Sequence, residues 1–207
     1  MTTSESFWDK IAPRYAKSPI KNMTAYDETM ARTRSHLCAS DVVTELGCGT
    51  GSTAILLAPN VAEMTATDIS GNMIDIGRGK AQADGVENIT FVKGDAAASG
   101  VAPTSQDAVL AFNLLHLVPD LPAALNEAHA LLKPGGVFIS KTVCLAEKGW
   151  HIRMIVSVMR LFRLAPYVNF LKISDLENMV ETAGFKIVET GNYPASPPSR
   201  FIVARKI

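Results

Sequence analysis

Three carboxylates and a glycine-rich turn are the residues of this sequence whose types and spacing best suit them to chemistry. Glu45 stands just before residues 47–51, in which glycine occupies every second position. Asp68 and Asp95 come at the ends of two further apolar segments. A glycine turn between a strand and a helix lets the backbone approach a ligand and directs helix N-terminal amides at it. Acidic side chains beside such a turn indicate a ligand that carries positive charge.

Three classes of ligand fit a glycine turn of this kind. A nucleoside triphosphate requires a lysine after the glycines, and none follows Gly51. A nicotinamide dinucleotide prefers a third glycine where this chain has Ser52, so that class stays open as the weaker alternative. S-adenosylmethionine carries a sulfonium and an ammonium group against one carboxylate, so its net positive charge matches the acidic residues. Asp68 could accept both ribose hydroxyl hydrogens of either of the last two ligands and does not separate them.

A parallel sheet is the arrangement that would bring these residues together. Apolar strand-like runs alternate with helical ones, which predicts a sheet covered by helices on both faces. The predicted strands cover residues 41–46, 61–68, 89–95, 107–113 and 135–143, and the predicted helices cover 52–58, 71–84 and 121–132. A later helix has Ser174 as its N-cap and Gly184 at its end, and an antiparallel hairpin follows it. Ligands bind at the carboxyl ends of the strands in such sheets.

Five motifs resemble those of a known family, the class I S-adenosylmethionine-dependent methyltransferases of the small-molecule type. They are ELGCGTG, TDIS, KGDA, FNLLHLV and LKPGG, in this order over roughly residues 41–143. The resemblance implies an α/β fold of the Rossmann-like type, a three-layer sandwich whose seven-stranded sheet is mostly parallel with the last strand antiparallel. It also implies S-adenosylmethionine as the cofactor, S-adenosylhomocysteine as its product, and a small-molecule acceptor.

The resemblance gives each motif residue an expected place around the cofactor. Glu45, Gly47, Cys48 and Gly49 line its methionine end, Asp68 takes the ribose, Ile69 and Met73 flank the adenine, Asp95 and Ala96 meet the adenine amino edge, and Asn113 lies near the transferred methyl group. Simpler interpretations stay open for some of them. Asp68 and Asp95 are also of a type that forms turns, and Met73 could pack in the core.

Asn113 and His116 are the candidates for catalysis. Methyl transfer from a sulfonium is an in-line displacement on an activated carbon, so correct positioning can supply much of the rate. If a phenol or thiol must lose its proton, a histidine that titrates near neutrality is a natural base, and His116 follows Asn113 closely. His116 could equally pack or cap the turn after the strand.

The N-terminal segment, residues 1–40, is expected to form a helical cover over the site. Its sequence FWDKIAPRYAKSPI resembles the segment that folds over cofactor and acceptor in many small-molecule methyltransferases, which makes Tyr15 a candidate contact. The alternative is that Phe7, Trp8 and Tyr15 anchor a helix on the core.

A second segment, residues 145–172, is expected to be an inserted helical lid. The apolar arc of its helix, within 147–164, is unusually wide. Packing on the core is the first interpretation, a lid over a lipophilic acceptor the second, and contact with a membrane surface the third. A quinone-type or other aromatic acceptor is the corresponding hypothesis, and the acceptor atom is left open.

Composition restricts the class of partner. Lysine and arginine together number 20, as do aspartate and glutamate, so the chain of 207 residues has no basic field for nucleic acid. Three dispersed cysteines argue against a metal site and suit a reducing compartment, and no secretory signal begins the chain, so a cytoplasmic location is expected. One domain over residues 1–207 is predicted. A nicotinamide-dependent oxidoreductase and a non-catalytic cofactor-binding module stay open as alternative functions, and no feature indicates an oligomeric state.

Overall fold

The computed structural model of the chain describes residues 4–148, 154–155, 159, 165–196 and 198–207. Within these residues seven strands form one sheet. The strands are β1 (Val42–Leu46), β2 (Glu63–Asp68), β3 (Ile89–Lys93), β4 (Gln106–Phe112), β5 (Leu132–Val143), β6 (Phe185–Asn192) and β7 (Ser199–Lys206). All the predicted strands are present, with boundaries that differ by a few residues.

The sheet has the strand order β3-β2-β1-β4-β5-β7-β6. Only β7 runs antiparallel to its neighbours, β5 and β6, and the other strand pairs are parallel. The predicted topology of the sheet is therefore confirmed. The strand order reverses between β1 and β4, and a crevice forms at the carboxyl ends of the strands at such a point.

Helices cover both faces of the sheet, as predicted for a three-layer sandwich. The described helices are α1 (Ser4–Ala16), α2 (Met23–Arg34), α3 (Ser52–Leu57), α4 (Gly71–Ala83), α5 (Leu121–Leu131) and α6 (Ile173–Thr182). Residues from α2, α3 and α4 share one buried apolar cluster with the sheet, and residues from α5 and α6 share a second cluster on the opposite face. Fully buried apolar segments of the central strands, such as β4, fit this double cover.

Local capping explains where several helices begin. The hydroxyl of Ser70 accepts a hydrogen bond from the Met73 amide at 3.1 Å and so starts α4. Asp120 does the same for α5 through the Ala123 amide, at 3.0 Å. The prediction of Ser174 as the N-cap of α6 is wrong, because that helix already begins at Ile173.

Two other sequence predictions have different outcomes. Gly184 ends α6 as expected, with φ at +90°. The helix predicted within 147–164 lies outside the described residues, except that Met154, Ile155 and Met159 are described and exposed. Across the helices that the structure describes, none has the length and apolarity needed to cross a bilayer.

The ring of Phe91 in β3 is packed tightly between two glycines. A Cβ atom at Gly51 would come within 2.6 Å of this ring, and one at Gly77 within 2.5 Å. Both distances are too short for any side chain, so the ring occupies the space that these glycines leave. This packing brings the start of α3 and the middle of α4 close to the sheet.

Candidate active site

A cavity of about 840 Å³ opens at the carboxyl ends of the central strands. It contains all the residues that the sequence suggested for the cofactor: Tyr15, Glu45, Gly47, Cys48, Gly49, Asp68, Ile69, Met73, Asp95, Ala96 and Asn113. The volume lies in the upper part of the range of roughly 300–1,000 Å³ that ligand sites occupy. The structure thus brings together residues from the ends of β1, β2, β3 and β4 and from helix α1.

The turn between β1 and α3 depends on its glycines. Gly47, Gly49 and Gly51 have φ angles of +64°, +56° and +74°, a region that side chains other than glycine rarely adopt. The amide of Gly49 donates to Oδ2 of Asp68 at 2.9 Å, which ties the turn to the end of β2. The backbone of the turn is therefore held open beside the cavity.

Glu45 is a buried acid without a full set of partners. It is 2% exposed, and its carboxyl group accepts a hydrogen bond from the Ala54 amide in the first turn of α3. Its Oε2 atom is buried and has no hydrogen-bond partner among the described residues. Burial, together with the nearby charge of Asp68, raises the pKa of Glu45 to about 8. An uncompensated carboxyl group of this kind is suited to receive a cation.

Asp68 is held by two backbone amides, one on each carboxyl oxygen. The donors are Gly49, already described, and Ser70, whose amide lies 2.9 Å from Oδ1. Both hydrogen bonds favour the ionised form, but burial outweighs them and raises the pKa of Asp68. Each oxygen retains a further lone pair, so the fixed carboxylate can accept hydroxyl hydrogens from a ribose.

The end of the cavity beyond Asp68 combines apolar and turn-forming residues. Met73 is 2% exposed and packs in the protein while it also lines the cavity. Oδ1 of Asp95 accepts the Ala97 amide at 2.9 Å, so this aspartate does form a turn. The contact of Asp95 with an adenine stays a prediction. Ile69 and Ala96 complete this part of the lining.

Helix α1 lies over the glycine turn through Tyr15. A Cβ atom built on Gly49 would be 3.7 Å from the Tyr15 ring, which is ordinary contact. Tyr15 is 49% exposed, so it is only partly buried. This partial burial, together with the charges of Asp68 and Glu45, raises the pKa of its hydroxyl group. The predicted position of Tyr15 above the cofactor end is thus a feature of the structure, and its contact with a ligand remains a prediction.

The cavity has the polar groups that S-adenosylmethionine requires. The orphaned Oε2 of Glu45 suits an ammonium group, the glycine turn accommodates a chain at close range, and the fixed carboxylate of Asp68 suits a ribose. No group of three or more histidine, cysteine, aspartate or glutamate side chains that could hold a metal ion occurs in the part of the chain that the structure describes.

Asn113 and His116 follow β4, but only Asn113 lines the cavity. Asn113 lines the cavity and has an unusual φ of +54°, and such strain in a non-glycine residue often marks a functional position. His116 does not line the cavity, because the short 3₁₀ turn Leu115–Leu117 carries it away. Burial lowers its pKa to about 4, so it is a poor base near neutrality. The structure gives no support to His116 as the catalytic base.

Comparison with known proteins completes the description of the site. Residues 43–136, which contain the glycine turn and the strand ends from β1 to β4, match the family model described as a methyltransferase domain. The chain is a class I S-adenosylmethionine-dependent methyltransferase. S-adenosylmethionine is accordingly the methyl donor of this enzyme. The nicotinamide alternative loses its support, since the comparisons lead to methyltransferases.

Two relatives and one solved structure illustrate the similarity of the methyltransferase to known enzymes. It is 27% identical over 171 residues to a ubiquinone biosynthesis O-methyltransferase of Coxiella burnetii, a match that spans 80% of this chain and 72% of that protein. It is 29% identical over 167 residues to a ubiquinone/menaquinone biosynthesis C-methyltransferase of Brucella canis, which spans 70% and 62% of the two chains. A phosphoethanolamine N-methyltransferase 2 of Haemonchus contortus shares the fold, with a TM-score of 0.78 at 15% identity over 100% of this chain and 61% of its own.

Lys141 and Tyr26 are residues of the methyltransferase cavity that sequence reasoning missed. Lys141 lies near the carboxyl end of β5 and is only 9% exposed, and Tyr26 reaches the cavity from α2. Burial raises the pKa of the Tyr26 hydroxyl despite its hydrogen bond with Thr53. The sequence did carry one signal for Lys141, since a lysine within the apolar run FISKTV is unusual for a strand buried on both faces.

Proposed function

We propose that this methyltransferase binds S-adenosylmethionine along the ends of β1, β2 and β3 and methylates a small, largely apolar acceptor, aromatic or quinone-like, bound beside the ends of β4 and β5. The observation that carries the proposal is the division of a single cavity. Its carboxylates come from Glu45, Asp68 and Asp95 on one side, and its apolar lining surrounds Asn113 on the other.

The residues at the cofactor end act by binding and orientation. When bound, S-adenosylmethionine supplies a methyl carbon that is already activated for displacement. Glu45 would hold the ammonium group, Asp68 the ribose hydroxyls, and Ile69 and Met73 the faces of the adenine. Asn113, which lines the cavity and has a left-handed backbone conformation, would lie near the transferred methyl group. Fixed positioning of two reactants can account for a large part of the rate of such a transfer.

The acceptor half is lined mainly by apolar side chains. Phe112, Leu117, Val118, Pro119, Val143 and Pro194 contribute to it. The names of the two quinone-biosynthesis relatives point in the same direction, toward a ring with a lipophilic character. One of these relatives methylates oxygen and the other carbon, according to their names, so the relatives do not decide the acceptor atom.

The proposal extends to the organisation of the whole chain. Residues 1–207 would form one domain in which residues 1–40 cover the cofactor and residues 145–172 close over the acceptor. The presence of residues from α1 and α2 in the cavity lining supports the covering role of the N-terminal segment. A small molecule is a better acceptor than nucleic acid because the chain has a formal net charge of zero. A reducing, cytoplasmic location agrees with three cysteines that form no disulfide.

Calorimetry with a matched pair of variants tests the cofactor half. Glu45→Gln removes the buried carboxyl group that would become ionised in the complex, whereas Glu63→Gln changes an exposed carboxylate at the start of β2. We expect the first variant to bind S-adenosylmethionine at least about 30-fold more weakly, in line with the cost of losing a charged partner in a buried site, and the second to bind as wild type. Equal affinity of Glu45→Gln and wild type would contradict the proposed binding mode.

Transfer from a radiolabelled methyl donor to a panel of acceptors tests the other half. The panel should contain phenols, quinols, primary amines and short oligonucleotides at matched concentration. We expect label on phenols or quinols and none on oligonucleotides. A preference for amines or oligonucleotides would overturn the acceptor class, and tight cofactor binding without any transfer would favour the non-catalytic module instead.

A further inference from the structure

We propose that Lys141 is a catalytic residue of this methyltransferase, whose Nζ atom binds an acidic hydroxyl group of the acceptor and holds its proton during methyl transfer. The inference rests on the proposed function and deepens it, because it gives the acceptor a chemical requirement: an otherwise apolar molecule with a phenolic or enolic hydroxyl. Neither the family match nor the relatives assign a role to this residue.

Lys141 is buried without an opposite charge. It is 9% exposed, and in the described residues no carboxylate lies within ion-pair distance of its Nζ. Buried lysines are rare unless they are paired, because removing an ammonium group from water is costly. An amine placed in this way is expected to meet its partner in a ligand.

A single hydrogen bond orients the amine. Nζ of Lys141 donates to Oγ1 of Thr29 at 3.1 Å, and the Thr29 hydroxyl itself donates to the Ala25 carbonyl at 2.6 Å. Thr29 therefore presents a lone pair to the amine and cannot donate to it. The remaining positions on Nζ have no partner among the described residues and are available to a molecule in the cavity that Lys141 lines.

The sheet register places Lys141 on the acceptor side of the site. Lys141 pairs with Phe112 in β4, and its carbonyl accepts the Asn113 amide at 2.7 Å. Glu45 is two strands away, in register with Leu110 and, through it, with Ile139. At a strand spacing of about 4.8 Å, the two side chains start from opposite sides of the cavity on one face of the sheet. A cofactor at Glu45 thus leaves Lys141 to the acceptor.

The chemistry of the step is balanced. An acceptor hydroxyl and the Lys141 amine form a pair that is neutral overall, and the proton can reside on either atom. Burial lowers the pKa of Lys141, which favours the neutral amine before the acceptor arrives. As the acceptor oxygen bonds to the methyl carbon, the carbon–sulfur bond breaks with its electrons going to sulfur, and the hydroxyl proton stays on Nζ until it passes to solvent.

A binding experiment with 4-nitrocatechol tests this inference, because the ionised form of this phenol absorbs at longer wavelength than the neutral form. The wild-type protein saturated with S-adenosylhomocysteine should bind it and shift its absorbance toward the ionised form. Lys141→Met keeps a similar side-chain length, and the Thr29 hydroxyl keeps its bond to Ala25, so this variant should fold. We expect it to bind 4-nitrocatechol at least about 10-fold more weakly and without the shift.

Lys133→Met is the matched control, since Lys133 lies on the same strand but at its opposite end, where it pairs with Asp107 at 2.8 Å. It should behave as wild type toward 4-nitrocatechol, and all three proteins should bind S-adenosylhomocysteine equally. Where catechol and 4-nitrocatechol are methylated, Lys141→Met should slow transfer by about 100-fold or more, and by less for the more acidic nitrocatechol.

The outcomes separate the two proposals. Absence of S-adenosylhomocysteine binding by the wild type refutes the proposed function itself. Binding of S-adenosylhomocysteine without binding of 4-nitrocatechol, or equal behaviour of Lys141→Met and wild type, refutes the role of Lys141 alone. Lys141→Gln serves as a second variant, with the same expected loss, if the methionine variant proves unstable.

Discussion

Glu45 is a buried side chain at the cofactor end whose ionisation is opposed by its surroundings. Its usual pKa of 4.5 is raised to about 8 by burial and by Asp68, so the free protein holds this carboxyl group largely protonated at neutral pH. A cationic ligand reverses the preference, because it stabilises the ionised form. The protonated form of Glu45 therefore stabilises the free protein, whereas the ionised form is the one that binds the cofactor.

The stability of the cofactor-free protein should consequently fall as pH rises from about 4.5 to about 8. In this window the folded state binds more protons at Glu45 than the unfolded state does, which gives a negative slope of unfolding free energy with pH. Glu45→Gln removes this slope and should be more stable than wild type at pH 8, by on the order of a few kcal/mol. Urea denaturation at several pH values would measure it, and a difference that does not change with pH would contradict the explanation.

Cofactor binding should also release protons. At pH 7 the Glu45 carboxyl group is mostly protonated, and contact with the ammonium group of S-adenosylmethionine should expel that proton. The binding enthalpy of wild type should then vary with the ionisation enthalpy of the buffer. The Glu45→Gln variant should show no such variation at concentrations where it still binds, and equal buffer dependence in both proteins would exclude Glu45 as the source.

The sequence was sufficient to predict the acidic residues of the cavity but not its buried lysine, Lys141. Glu45, Asp68 and Asp95 lie at or just after the carboxyl ends of strands that must meet at one edge, so strand prediction alone brought them together. Lys141 acquires its environment from α2, which is distant in sequence, and strand patterns do not reveal that contact. His116 follows Asn113 closely in sequence but does not line the cavity, because closeness in sequence does not fix the direction of a side chain after a turn.

At the scale of elements, helix α1 is attached to the site by polar contacts rather than by a large apolar face. Oδ1 of Asp9 accepts hydrogen bonds from the Ser70 hydroxyl at 2.6 Å and the Asn72 amide at 3.1 Å, both at the start of α4. Glu5 adds an ion pair with Lys93 at 2.6 Å, and both side chains of this pair are substantially exposed. Only Ala12 of α1 is fully buried. Asp9 is thus a polar anchor of this helix at the start of α4.

Loss of the Asp9 contacts should loosen α1 and shorten the residence of the cofactor. Asp9→Ala removes the carboxylate oxygen that accepts two hydrogen bonds at a helix start, which typically costs about 0.5–2 kcal/mol. We expect dissociation of S-adenosylhomocysteine, followed by stopped flow, to become several times faster while the fold persists. Asp75→Ala, which breaks an exposed pair with Arg78 within α4, is the control and should leave the rate unchanged. The same rate for Asp9→Ala and wild type would show that α1 does not retain the ligand.

Element prediction succeeded where periodic patterns were long and failed at boundaries set by pairing. The sequence KPGG predicted a turn before the fifth strand, yet β5 begins at Leu132 because this residue pairs with Gln106 in β4. A register irregularity between Gln106 and Ala108 accommodates the early start. Such pairing depends on the neighbouring strand and leaves no mark on the local sequence.

At the scale of the molecule, the sheet separates the charges of its ligands. Carboxylates gather where β1, β2 and β3 end, and the buried lysine lies two strands beyond them on β5. In the proposed binding mode, a cation and an acidic molecule would share one cavity, with their reacting ends near Asn113. This division follows from strand order, since a sheet with another order would mix the two groups.

The rise in Tm on ligand addition should show which cofactor the folded protein binds. A ligand at about 100 times its dissociation constant stabilises a protein by roughly 2.7 kcal/mol, which corresponds to a rise of about 5–10 °C in Tm for a domain of this size. We expect this rise with S-adenosylhomocysteine and none with NADH at the same concentration. A rise with NADH alone would contradict the assignment of the cofactor and revive the oxidoreductase alternative.

The contact of Phe91 with Gly51 and Gly77 has a consequence for how this fold can change over generations. An alanine at Gly77 would favour its helix by about 1 kcal/mol, but it collides with the ring as long as the phenylalanine is present. A smaller residue in place of Phe91 has to arise first, and it leaves a void until the alanine fills it. Descendants of this sequence can therefore reach alanine at Gly77 only after Phe91 has been replaced. The variant between these two substitutions is less stable than the proteins before and after it.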